Sequence, residues 1–133
     1  LFNVNGAGLG LPFHRHTSVL HRVVAGGKLF FFFSDDATPP FGADIPGVPE
    51  HLMKKWVLEE LPQLPSSRRP SFQCGIGAGD AMFVPWNMTH GTVNLVDTVS
   101  LVRSGCNGAI PGLRKEVLNP HLCPGPEPEH GTW

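Results

Sequence analysis

Apolar runs of four to seven residues, broken again and again by glycine or proline, constrain this chain more than any other feature. With 16 glycines and 14 prolines in 133 residues, few windows can carry a long helix, and the pattern favours a turn-rich β architecture. Strand-like segments lie at 1–5, 11–16, 19–25 and 28–33, and a second group at 71–76, 81–85, 91–95 and 98–103. The run Phe30-Phe31-Phe32-Phe33 is apolar on both faces of a strand, so it predicts cover on both sides.

Between the two groups, 34–47 reads as an irregular loop rich in Pro, Asp and Gly. A helical insertion at about 48–62 follows, with Pro49 at a first helical position, Leu52, Met53, Trp56, Val57 and Leu61 along one face, and Pro62 as its stop. These segments predict one all-β unit with a helical insertion over 1–104. Residues 105–133 form a Pro- and Gly-rich C-terminal tail that wraps or docks rather than folds alone.

A formal net charge of -1 gives no electrostatic footprint for nucleic acid. No window reaches the roughly 18 apolar residues of a membrane span, so the chain reads as soluble. It starts at Leu1, already in strand-like sequence, which reads as the interior of a longer polypeptide; a targeting signal would lie upstream, and the compartment stays open. Three cysteines make no disulfide framework. Cys74 reads as a small buried thiol, and Cys106 and Cys123 are the pair available to each other.

The chemistry lies in two stretches. His14 and His16 stand two apart on an expected strand, so their imidazoles share a face and can chelate one ion. The second stretch, from Gly79 to Asn94, brings His90 after a Gly-Asp turn and a strand ended by Pro85. A barrel that joins the two makes a three-histidine site suited to Fe, Zn, Cu, Ni or Mn rather than Ca or Mg. His51, His121 and His130 carry no such pattern.

These spacings resemble the paired motifs of the cupin superfamily. Gly8, His14 and His16 match the first motif, and Gly79, Pro85, His90 and Asn94 match the second. Asn87 stands where the family usually has Gly, and Asn tolerates a left-handed backbone. His21 stands where the family usually has Glu, which makes it a candidate additional ligand. The resemblance implies a double-stranded β-helix, or jelly-roll, barrel.

Within that superfamily the chain resembles JmjC-domain proteins over about 1–104. The carriers are Pro12-Phe13-His14-Arg15-His16, Gly26-Gly27-Lys28 before an aromatic strand, Ala78-Gly79-Asp80 running to Val84-Pro85, and His90-Gly91-Thr92-Val93-Asn94-Leu95. The resemblance implies Fe(II), or another divalent metal, on His14, His16 and His90. It also implies 2-oxoglutarate held by Lys28, with Asn94 beside it, and hydroxylase or demethylase chemistry on a protein or small-molecule substrate.

His16 departs from the family, where Asp or Glu is usual. Imidazole keeps a ligand but removes a negative charge, which alters the redox behaviour of iron. Three readings follow: a JmjC-type 2-oxoglutarate-dependent dioxygenase, a metal-binding cupin with other chemistry, and a non-catalytic barrel that serves as an interaction or assembly module, with the tail gripping a protein partner.

Overall fold

The computed structural model describes residues 1–34, 37–41 and 52–104. Burial alternates strictly at the start of β2 (Val19–Ala25): Val19, His21 and Val23 are buried, and Leu20, Arg22 and Val24 are exposed. That period of two marks a strand with one face on a core. The remaining strands are β1 (Phe2–Asn5), β3 (Gly27–Phe33), β4 (Phe72–Gly77), β5 (Ala81–Val84), β6 (Thr89–Asn94) and β7 (Thr98–Ser104).

They form two antiparallel sheets, one of four strands in the order β1-β7-β2-β5 and one of three in the order β4-β3-β6. This is the all-β jelly-roll, cupin-type arrangement that the motif spacing implied. Between the sheets Val19, Val23 and Val84 of the larger pack against Phe30, Phe32 and Ile76 of the smaller. The interior face of the smaller sheet can be followed in register: Phe32 opposite His90, Phe30 opposite Thr92, Lys28 opposite Asn94.

The opposite face of the smaller sheet has a core of its own. Phe31, Phe33 and Val93 pack with Phe13, Met53 and Trp56, so all four phenylalanines of the run are buried, as expected from a strand covered on both sides. Trp56 meets Phe13 and Phe31 edge-on, with ring centroids 5.2 and 5.1 Å apart, a favoured aromatic geometry. The insertion that supplies Met53 and Trp56 is less regular than its sequence pattern. It begins as α1 (Leu52–Lys55), widens to a π-helical turn over Trp56–Glu60 and tightens to a 3₁₀ turn over Leu61–Gln63. Pro62 lies within that last turn, which runs one residue past it to Gln63 before the backbone becomes extended at Leu64; the expected start near 49 lies outside the described residues, as does the tail 105–133 with Cys106 and Cys123.

One expected strand is corrected. Residues 11–16 make no continuous strand, only a bridge at His14 opposite His90. Gly8, Leu9 and Leu11 do bond along β6, through Gly8 N–H to Asn94 O (2.8 Å), Asn94 N–H to Leu9 O (2.8 Å) and Thr92 N–H to Leu11 O (3.0 Å). Between Leu11 and His14 the register slips by one residue, because Pro12 has no N–H to give the ladder. Gly10 passes so close to β6 that a Cβ there would lie 1.9 Å from the Thr92 carbonyl oxygen.

Candidate metal centre

His14 and His90 reach each other through their backbones. The bridge closes with His14 N–H to His90 O at 2.9 Å and His90 N–H to His14 O at 3.1 Å, which sets 75 residues of intervening chain aside in one contact. His16 is fixed from the other side: its carbonyl accepts the N–H of Asn87 at 2.9 Å. Asn87 has φ 57°, the left-handed conformation foreseen for Asn in place of the usual Gly.

The result is a triangle of imidazoles. Ring centroids are 4.3 Å apart for His14 and His90, 4.5 Å for His16 and His90, and 5.1 Å for His14 and His16. One ligand atom from each lies within 4.8 Å of the others, and among the described residues this trio is the group able to hold a metal ion. His90 is buried, and His14 and His16 are partly exposed.

Each ring is oriented by a main-chain carbonyl. His14 Nδ1 lies 2.7 Å from Pro12 O, His16 Nδ1 2.6 Å from Thr17 O, and His90 Nδ1 2.9 Å from Met88 O. A carbonyl only accepts, so each Nδ1 carries a proton, and in the neutral ring Nε2 then keeps its lone pair. This is how proteins orient metal-binding histidines, and the donor set therefore fits a divalent transition metal. Burial, then the neighbouring His14, pushes the His90 pKa down to about 3 against the raising effect of Met88 O. A neutral ring is the ligating form.

Behind His90 the interior continues inward. Phe32 stacks on His90 at 6.1 Å with the planes 29° apart. His21 lies instead against Phe30, 5.3 Å away and nearly perpendicular, so the structure does not group it with the trio. Its Nε2 is buried with no hydrogen-bond partner, and burial, reinforced by Lys28 and His16, lowers its pKa to about 4.

Lys28 is 1% exposed, and burial lowers its pKa to about 8. On the same interior face as Phe30 and Phe32, it lies opposite Asn94. The Asn94 amide donates to Asn5 O at 3.1 Å and Gly6 O at 3.3 Å, while its Oδ1 is buried without a partner. Sequence reasoning missed these orphaned atoms. A polar residue alternating with apolar ones on a strand looks the same whether its polar atom is satisfied or not.

Known proteins carry a similar segment. Over 98 residues, 74% of this chain, it is 37% identical to JmjC domain-containing protein 8 of Rattus norvegicus. The identity is 35% to the protein of that name from Homo sapiens and 36% to that from Mus musculus over the same share. The chain spans about a third of the length of these relatives, 34% in each case. No family model matches it. Homology over three quarters of the chain, a two-sheet barrel and a histidine triangle at the motif positions together place it among the JmjC-domain proteins of the cupin superfamily, in the variant with His-x-His where an acid is usual.

Proposed function

We propose that this chain is the core of a JmjC-type oxygenase in which His14, His16 and His90 hold Fe(II) and 2-oxoglutarate enters the barrel behind them. The observation that carries the reading is the pairing of Lys28 with Asn94 on the interior face: a buried cation, and beside it a buried oxygen with no partner. A buried charge is costly to keep unless an opposite charge meets it. A dicarboxylate would neutralise the ammonium group at one end while its other end approached the metal.

When bound, the metal supplies activation of O₂ coupled to oxidative decarboxylation of 2-oxoglutarate, which drives oxidation of a substrate C–H bond. The remaining roles belong to the chain. The carbonyls of Pro12, Thr17 and Met88 would hold the three rings so that each Nε2 offers its lone pair to the metal. Phe32 shields the buried side of His90 from water. Lys28 receives the distal carboxylate, and Asn94 Oδ1 can accept from the ammonium group and steady it.

A second reading rests on two specific observations. Three neutral imidazoles leave the metal one negative charge short of the usual two-histidine, one-acid set, and Phe30 stands on the interior face between Lys28 and Phe32. Both favour a metal-binding cupin that does other chemistry. Metal analysis with a 2-oxoglutarate titration separates the readings. One equivalent of metal with saturable 2-oxoglutarate binding that is lost in Lys28→Met supports the oxygenase. Metal without 2-oxoglutarate supports the second reading, and neither leaves a non-catalytic barrel. Succinate release with added Fe(II), compared between the natural chain and His16→Asp, then reads the histidine itself. A rise in the variant marks a weakened oxygenase, and a fall marks a centre built for three histidines.

A further inference from the structure

The four-stranded sheet turns a second apolar face outward. Leu20 and Val24 of β2, Phe2 and Val4 of β1, Leu101 of β7 and Phe83 of β5 are 46 to 63% exposed. The register sets them in rows across the sheet: Phe83, Leu20 and Arg103 in one, and Ala81, Arg22, Leu101 and Phe2 in the next. Contiguous apolar surface of this kind marks an interaction site more often than isolated exposed residues do.

Charge says what kind of partner fits. Arg22 and Arg103 sit diagonally across the two central strands, since Leu20 lies opposite Arg103 and Arg22 opposite Leu101. Both are exposed, and the four strands contain no Asp or Glu. Diagonal neighbours on a sheet lie about 7 to 8 Å apart. Residues four apart on a helix have Cβ atoms about 5 to 6 Å apart, a spacing that two flexible arginine side chains can match.

We propose that this face receives an amphipathic helix whose apolar stripe carries an acidic pair at i, i+4 for Arg22 and Arg103. A helix laid along an open sheet is a standard way to bury such a face. A second copy fits poorly. Face-to-face two-fold packing presents the same patch from both subunits, which sets arginine pairs against each other.

The test uses the whole chain and two synthetic 18-residue helical peptides with the same leucine stripe, one carrying a Glu pair at i, i+4 within it and the other a Lys pair. Fluorescence anisotropy is expected to show the Glu peptide binding at least tenfold more tightly than the Lys peptide, with an affinity that falls as salt rises. Arg22→Glu combined with Arg103→Glu should reverse the order, its fold checked by thermal melting. Leu101→Asp should weaken both peptides. Equal affinity for the two peptides, no saturable binding of either, or an unchanged order in the double variant overturns the proposal. So does binding to phosphatidylserine vesicles without discrimination between the peptides, which would make the face a lipid-binding surface. Dimerisation in sedimentation that Leu101→Asp abolishes would assign the face to a second copy.

Discussion

The two sheets of this barrel share one interior but differ on their outer faces. The smaller one buries its outer side under Phe13, Met53 and Trp56, the last two supplied by the insertion between its own strands β3 and β4. The larger one leaves Phe2, Val4, Leu20, Phe83 and Leu101 exposed. Its apolar outer residues are no fewer, but among the described residues no segment covers them. The smaller sheet also carries His90, Phe32 and Lys28 along its interior face. The sheet that positions most of the candidate site is thus braced from both sides, and the sheet with the open face closes the interior from opposite.

The sharpest way to break that comparison is to remove the brace. Trp56 is fully buried and touches Phe13, Phe31 and Phe41. Trp56→Ala is expected to cost about 3 to 5 kcal/mol, the range for large aromatic truncations in a core, read from urea unfolding. Trp56→Phe keeps most of the packing and removes an indole N–H that is buried without a partner, so its loss should stay near about 1 kcal/mol. Equal losses in the two variants would show that the insertion does not brace the sheet through packing.

How much of this was legible in the sequence varies by element. The histidine triangle was, because His14, His16 and His90 stand at motif spacings, and so was the left-handed turn at Asn87. The four buried phenylalanines were readable from an unbroken apolar run, which no half-exposed strand would carry. Residues 11–16 misled: their residue types suit a strand, but Pro12 interrupts the ladder and Gly10 is pressed against a backbone carbonyl, a tertiary constraint with no local sign. The π-helical turn at Trp56–Glu60 had no signal either, since its residues read as one face of an ordinary helix. Nor could alternation along β2 and β7 tell that both their faces would be apolar while the described residues cover only one.

A smaller effect tests the interior of the braced sheet. The unfolded chain holds the Lys28 proton up to about pH 10.5, whereas burial lets the folded chain hold it only to about pH 8. The unfolded state therefore binds more protons between these values, so stability should rise with pH across that window and carry its full penalty below about 8. At 1.36 kcal/mol per pKa unit the penalty is on the order of 3 kcal/mol. Lys28→Met should be more stable than the natural chain at pH 7, and the difference should shrink toward pH 10.5. Parallel stability curves for the two proteins across this window would show that the ammonium group is solvated in the folded state. A saturating dicarboxylate that pairs with Lys28 should flatten the rise in the natural chain and leave Lys28→Met unaffected.

The smallest expected effect falls on the open face and is informative because it is small. Leu101 is 46% exposed at the centre of that face, between Phe2 and Arg22 in the register. Leu101→Thr removes apolar surface already in water and installs a β-branched residue that suits a strand, so two modest terms oppose each other. Net stability should shift by no more than about 0.5 kcal/mol, as for surface substitutions generally. Binding of an apolar dye should fall at the same time, because the substitution removes the apolar side chain beside Phe2 in its row and diagonal to Leu20. A loss of about 2 kcal/mol instead would mean that Leu101 is buried in solution. The larger sheet would then have a cover too, and the contrast between the two outer faces would not hold.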